Sequence, residues 1–182
     1  MEQLNNRYEF IMIFDVENGN PNGDPDSGNM PRIDAETGYG IVTDVCLKRK
    51  VRNYINDVYE GEPGKSILVK TDKALNTKFT EAYQACRLKT NEEGKNNISV
   101  EKARDYICLN YYDVRAFGAV MSTGKDTCGI VRGPVQINFA RSIDPVLPQE
   151  ITITRQAITT IDDFNKGKKT EMGKKTFIPY GL

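Results

Sequence analysis

The chain has 182 residues, which suits one domain or one domain with large insertions. Its 25 basic and 25 acidic residues leave no net charge, so the total argues neither for nor against a nucleic-acid partner. Histidine is absent, which excludes imidazole acid–base chemistry and every metal site that needs a histidine ligand. No apolar run reaches the roughly 20 residues of a membrane span, and the polar N-terminus is not typical of a signal peptide.

The first predicted element is a central strand from Tyr8 to Val16, apolar on both faces in its middle. A polar loop rich in Asn, Gly, Pro and Asp follows, to about Gly40. Its glycines permit close approach by a partner, and loops rich in exposed amides bind phosphates. This interpretation predicts that the loop lies along a nucleic-acid backbone.

The same loop also suggests a calcium site. Asn18, Asn20, Asn22 and Gly23 match the spacing of an EF-hand loop. The twelfth position is Asn29, where the EF-hand needs a bidentate Glu, and a strand precedes the loop in place of a helix. The pattern therefore does not favour calcium.

The loop carboxylates allow a third interpretation. Asp24, Asp26 and Asp34 are candidates to gather a divalent ion for phosphodiester hydrolysis. Short Asp side chains in a loop rich in Gly and Pro also hold turns through bonds to their own backbone. The sequence leaves both roles open.

A helix is predicted next, capped by Thr43 or Asp44. Its apolar stripe comprises Leu47, Val51, Tyr54, Ile55 and Val58. Lys48, Arg49 and Arg52 fall on the flank and back of that stripe, where they form either a phosphate-binding surface or an ordinary solvated face.

The middle of the chain alternates between short elements. We predict a strand over 65–70, a helix over 75–86, a polar loop over 89–97, a helix capped by Ser99 and a strand over 113–122. The four cysteines are widely spaced and fit reduced core thiols better than a zinc site.

The last third is predicted to be mostly extended. Alternation indicates strands over 129–144 and 149–158, followed by a flexible basic segment over 161–175. The final residues, 177–182, have the pattern of a strand that begins there.

Several segments together carry a family resemblance. They are NRYEFIMIFDVENGNPNGDPDSGNMPRID, TDVCLKRKVRNYI, FGAVMSTG, CGIVRGPVQINFARSID, ITRQAITT and MGKKTFIPYGL. In this order they closely resemble the backbone subunit of the type I-C CRISPR surveillance complex (Cascade), in the repeat-associated mysterious protein superfamily. The similarity extends over nearly the whole chain.

The resemblance implies an α+β fold. Its core is a ferredoxin-like, RNA-recognition-motif-like antiparallel sheet with large insertions, which give a hand shape with a thumb hairpin. One domain over residues 1–182 is expected, with insertions at about 17–40, 60–110 and 150–178. Family members continue beyond a PYGL-like motif, so the resemblance also implies that the chain is truncated at its C-terminus.

The resemblance implies a non-catalytic role in antiviral defence in the prokaryotic cytoplasm. Copies of the subunit stack along the guide crRNA, each thumb kinks it, and the free bases pair with target DNA. The expected partners are crRNA, target DNA through the guide, further copies of the chain and other Cascade subunits, with no membrane. No cofactor, metal or catalytic residue is expected.

The resemblance also assigns site residues. The RNA contacts that it implies are Asn18, Gly19, Asn20, Asn22, Arg32, Lys48, Arg49, Arg52, Arg132 and Met172. Met172 is the candidate thumb wedge. Arg32 and Arg132 suit structural ion pairs equally well.

Two other functions stay open. Related backbone subunits of type III complexes cleave target RNA with an aspartate in the corresponding loop, for which Asp24, Asp26 and Asp34 are the counterparts. The charged residues within 15–36 are mostly acidic, whereas those within 48–52 and 166–175 are mostly basic. Such blocks of opposite charge also fit an assembly module that contacts only protein.

Overall fold

The computed structural model describes residues 5–88 and 97–182. Its strands are β1 (Val16–Gly19), β2 (Gly23–Asp24), β3 (Met30–Pro31), β4 (Tyr39–Val42), β5 (Gly118–Met121), β6 (Gly129–Arg132), β7 (Ala140–Pro145), β8 (Gln149–Arg155) and β9 (Glu171–Gly181). Its helices are α1 (Asp44–Val58), α2 (Leu75–Ala85), α3 (Asn97–Asn110), α4 (Tyr112–Phe117) and α5 (Ile161–Asn165). Helices accompany small antiparallel sheets, so the predicted α+β class is confirmed.

The chain forms two compact units. The first combines the chain up to Thr43 with Phe139–Leu182, and the second is Asp44–Asn138. The first unit contains a sheet of order β1-β9-β8 and the pairs β2-β3 and β4-β7, whereas the second contains the pair β5-β6. The ferredoxin-like arrangement and the single domain with three insertions stay predictions.

The predicted buried strand from Tyr8 to Val16 is wrong. Strand β1 begins only at Val16, which lies opposite Gly181 of β9. Residues 8–15 have no hydrogen-bonded strand partner among the residues described, and the side chain of Ile11 is 90% exposed. An apolar alternation specifies a strand only where another strand completes the ladder.

The predicted first helix is confirmed as α1, with Leu47 and Ile55 buried. The predicted second helix is confirmed as α2, with Phe79 and Tyr83 buried. Ser99 is not a cap, because α3 already includes Asn97 and Ser99 is buried within its first turn.

Three other predictions in the middle of the chain have different outcomes. Residues 89–96 of the predicted polar loop lie outside the described residues. The predicted strand over 65–70 is reduced to one isolated bridge between Ser66 and Tyr111. The predicted strand over 113–122 is wrong in its first half, which forms α4, and right in its second half, which forms β5.

The last third contains more regular structure than predicted. Strands β6, β7 and β8 confirm extended structure, although residues 133–139 between β6 and β7 form no strand. The predicted flexible segment over 161–175 contains α5 and the first half of β9. Residues 177–182 therefore end a strand that began at Glu171, because the β8 ladder holds β9 from that residue onward.

The second unit has the larger buried core. It comprises Leu68, Phe79, Ala82, Tyr83, Ala103, Ile107, Val114, Met121 and Cys128. The chain after β6 packs closely on the start of β5: a Cβ atom on Gly133 would lie 2.3 Å from the Gly118 nitrogen and 2.4 Å from the Ala116 oxygen. Only glycine fits this contact, which explains the glycine of the VRGP sequence.

Candidate functional site

The loop after β1 is held by its own polar side chains. Asn20 donates from Nδ2 to the Asn29 carbonyl at 2.7 Å. The Oδ1 atom of Asn22 accepts the Thr43 amide at 2.9 Å and the Thr43 hydroxyl at 3.0 Å. Asn18 has a positive φ of 49° at the point where β1 ends in Gly19. These residues shape the loop, and the prediction that they contact RNA stays a prediction.

Arg32 has the partner that an ion-pair role requires. One of its guanidinium nitrogens, Nη2, lies 3.4 Å from the Asp24 Oδ1 atom. The Nε atom of Arg32 and the Oδ1 atom of Asn20 are buried and lack a hydrogen-bond partner within the described part of the chain. Two unsatisfied polar atoms in one loop are costly, at about 1–3 kcal/mol each.

Two of the three candidate loop carboxylates, Asp24 and Asp34, hold turns. Asp24 accepts the Asp26 amide at 3.2 Å. Asp34 accepts the Glu36 amide at 3.1 Å and pairs with Arg141 at 2.8 Å. The Glu36 amide, the Thr37 hydroxyl and Arg141 together hold the pKa of Asp34 below its usual value. This geometry favours the turn-holding interpretation over the gathering of a metal ion.

No group of three or more Asp, Glu or Cys side chains within residues 5–88 and 97–182 is placed to hold a metal ion.

A two-stranded hairpin carries the predicted wedge. Strands β8 and β9 pair antiparallel, with Thr154 opposite Met172. The side chain of Met172 is 76% exposed. Lys174 follows two residues later on the same face and pairs with Glu150 at 2.7 Å. Met172 is thus free to meet a partner.

The tip of this hairpin contains residues that the sequence analysis did not single out. Ile161 and Phe164 of α5 are 78% and 72% exposed. Thr160 caps the helix, since its hydroxyl oxygen accepts the Asp163 amide at 3.2 Å. The T-x-x-D spacing was the available signal for an ordered turn.

Lysines follow directly after α5. The exposed ammonium groups of Lys166, Lys168 and Lys169 form no ion pair with any carboxylate in the described ranges. The tip therefore combines apolar surface with lysines that form no ion pair within the described chain.

The basic cluster of α1 has internal partners. Lys48 pairs with Asp44 at 2.8 Å, one turn earlier, and this bond holds the pKa of Asp44 below its usual value. Arg49 donates from Nη1 to the Val69 carbonyl at 2.9 Å. Both side chains keep donors that these bonds do not use.

Arg52 is more deeply engaged. Its Nε atom lies 2.9 Å from the Asp113 Oδ2 atom, and only 11% of its side chain is exposed. The Arg52 guanidinium also lies over the Phe117 ring, with Cζ 5.2 Å from the ring centroid. The Lys48 ammonium lies 5.9 Å from the same centroid. The geometry favours a structural role for Arg52. Asp113 and Phe117 were not predicted, because their partners are distant in sequence.

Arg132 is exposed at the end of β6, opposite Gly118. No carboxylate of the described chain lies within ion-pair distance of it. The structural ion pair that the sequence also allowed does not form within these residues.

Comparison with known proteins identifies the family. The family described as CRISPR-associated protein Cas7 matches residues 6–182. The chain belongs to the Cas7 family.

A curated relative of this family is the CRISPR-associated protein Cas7 of Haloferax volcanii. It is 48% identical over 52 residues, which are 29% of this chain and 15% of that protein. The match therefore spans well under two thirds of the relative's length.

Cas7-family membership places this chain among CRISPR-associated proteins. Of its ten predicted RNA contacts, six lie in the first unit and four in the second. None of the helices in the described ranges has the length and hydropathy of a membrane span.

Proposed function

We propose that this Cas7-family chain is a non-catalytic crRNA-binding backbone subunit of a type I-C surveillance complex in the prokaryotic cytoplasm. Copies stack beside other Cascade subunits along one guide, which recognises target DNA by base pairing. The family match over residues 6–182 and the close resemblance of the quoted segments support this role.

The observation that carries the proposal is the hairpin of β8 and β9. It presents exposed Met172 and Phe164 near lysines that form no internal ion pair. Apolar and aromatic side chains stack on or wedge between bases, while ammonium groups contact phosphates. This combination suits a single-stranded nucleic acid.

The remaining contacts proposed for the guide carry no base information. Lys48, Arg49 and Arg132 offer charged donors to phosphates, and the loop around Asn18 and Gly19 offers backbone groups and amides. Contacts of this kind position the RNA without reading its sequence.

Binding of two unrelated single-stranded RNAs at several salt concentrations tests the proposal. We expect similar affinities for both RNAs, each falling as salt rises. Affinity that does not respond to salt, or that requires one base sequence, would contradict it.

Two further measurements separate the other candidate functions. Incubation with guide, complementary RNA and Mg²⁺ should leave the RNA intact; cleavage that Asp34→Ala abolishes would establish a nuclease. Sedimentation should show that RNA increases the assembly size; the same size without RNA would establish a protein-only module.

A further inference from the structure

A polar cleft of about 220 Å³ opens in the second unit. Its walls come from the C-terminal end of α1, residues 65–73 and α2, with Tyr111 also lining it. Four lysines and three acidic residues lie on these walls. None of the ten residues predicted to contact RNA is among them.

Two of the lysines are neutralised within the cleft. Lys78 is only 3% exposed; its ammonium lies 2.7 Å from the Asp72 carboxylate and donates to the Leu68 carbonyl at 2.8 Å. Lys73 pairs with Glu81 at 2.6 Å. These pairs account for two of the three acidic residues.

The other two lysines are held by neutral groups. The Lys65 ammonium lies 4.9 Å from the Tyr59 ring centroid and 5.8 Å from that of Tyr112. Lys70 donates to the Asn56 Oδ1 atom at 2.8 Å. Rings and amides fix the positions of the ammonium groups without cancelling their charge.

One acidic residue remains. Glu60 is exposed and forms no ion pair within the described chain. Against Lys65 and Lys70 it leaves one uncompensated positive charge in the cleft. This net positive charge favours the binding of an anion in the cleft, and the negative charge of Glu60 weakens it.

We infer that this cleft binds a phosphate group, with Lys65 and Lys70 as its charged donors. Lysine binds phosphate as a point charge, and two positioned ammonium groups suit an anion that carries up to two charges. The phosphate belongs either to a small molecule or to the backbone of a nucleic acid. The inference does not rest on the proposed function, since inorganic phosphate alone tests it.

Lysine acetylation of the full chain, followed residue by residue with mass spectrometry, tests the inference. The probes are inorganic phosphate and a uridine oligonucleotide without terminal phosphates, with sodium chloride maintaining equal ionic strength. Lys50 and Lys102 are matched controls, because both are exposed on helices of the same unit.

We expect acetylation of Lys65 and Lys70 to slow about elevenfold at a phosphate concentration ten times the dissociation constant, because protection equals one plus that ratio. Lys50 and Lys102 should not respond to phosphate. Protection by phosphate alone assigns the site to small molecules, and protection by the oligonucleotide as well assigns it to a nucleic-acid backbone.

Two variants should change the protection of the cleft lysines from acetylation in opposite directions. Glu60→Gln should strengthen the protection, and the residual protection of Lys70 should disappear in Lys65→Gln. The inference is overturned if neither probe protects Lys65 and Lys70 more than the control lysines in the unaltered chain, or if sodium chloride protects them equally.

Discussion

Arg52 donates from Nε to the Oδ2 atom of Asp113 at 2.9 Å, and 1% of the Asp113 side chain is exposed. The same carboxylate accepts the amides of Leu68 and Val69 at 2.8 and 3.1 Å. One buried aspartate therefore joins α1, α4 and the chain that follows α1.

Replacing Arg52 by Met should destabilise the fold. The change leaves the Asp113 carboxylate buried without its cation, which costs about 3–5 kcal/mol of unfolding free energy. Urea denaturation measures the loss. Lys50→Met on the exposed side of α1 is the control and should change stability by less than about 0.5 kcal/mol. Equal stability of the two variants would contradict the structural role of Arg52.

Gly133→Ala should also destabilise the fold. The added Cβ would meet backbone atoms of Gly118 and Ala116 within 2.4 Å, and relieving that overlap costs about 1–3 kcal/mol. Thermal unfolding measures the effect. Gly173→Ala is the control, because its Cβ would meet only an Ile153 side-chain atom at 3.7 Å. A larger loss for Gly173→Ala would show that the close contact is absent.

Lys48→Ala combined with Arg49→Ala should weaken RNA binding and reduce its dependence on salt. The slope of log affinity against log salt should flatten by about 1.4, at about 0.7 for each single-strand phosphate contact. Lys102→Ala with Arg104→Ala on α3 removes the same charge and should leave the slope unchanged. Identical slopes for both double variants would assign Lys48 and Arg49 to an ordinary solvated face.

Phe164→Ala and Met172→Ala should weaken RNA binding without changing the salt slope. Each removes apolar contact with bases but no charge, so the expected loss is about 1–3 kcal/mol. Fluorescence anisotropy at several salt concentrations separates the two effects. Leu109→Ala removes a comparably exposed side chain from α3 and is expected to bind normally. Normal binding by both hairpin variants would exclude the wedge.

Cys128 should resist alkylation in the native chain. Its side chain is fully buried, and burial raises the pKa of its thiol to about 12, so the thiolate that reacts is scarce at pH 8. Iodoacetamide labelling followed by mass spectrometry measures this, with Cys86, which is partly exposed, as the comparator. Denaturation in urea should remove the difference; equal native rates would refute the burial.

Sequence patterns predicted correctly those elements whose structure is determined by residues close together in the chain. The 3.6-residue spacing of apolar residues and a capping residue at Thr43 or Asp44 were sufficient to predict α1. Helix α4 was not predictable in the same way, because Asp113 finds its partners 44 and 45 residues earlier in the chain. The strand from Tyr8 failed for a related reason: a strand depends on a neighbour that its own sequence does not specify.

The candidate site divides in the same way. The sequence showed the charges of Lys48 and Arg49 as a basic cluster. It showed the lysines of the hairpin that carries Met172 as a basic segment. Three-dimensional contacts decide that Arg52 is buried in an ion pair and that Phe164 is exposed on a capped helical turn. The sequence therefore located the basic regions, but it did not distinguish side chains held in internal contacts from those free to bind a partner.

The segment before β1, residues 7–14, bears on how the isolated chain behaves in solution. RYEFIMIF has high β propensity, balanced charges and neither Pro nor Gly, and its backbone has no ladder partner among the residues described. Such a segment is a template for edge-to-edge aggregation. We therefore expect residues 7–14 to promote association of the isolated chain, and a co-expressed partner that covers them to raise its soluble yield.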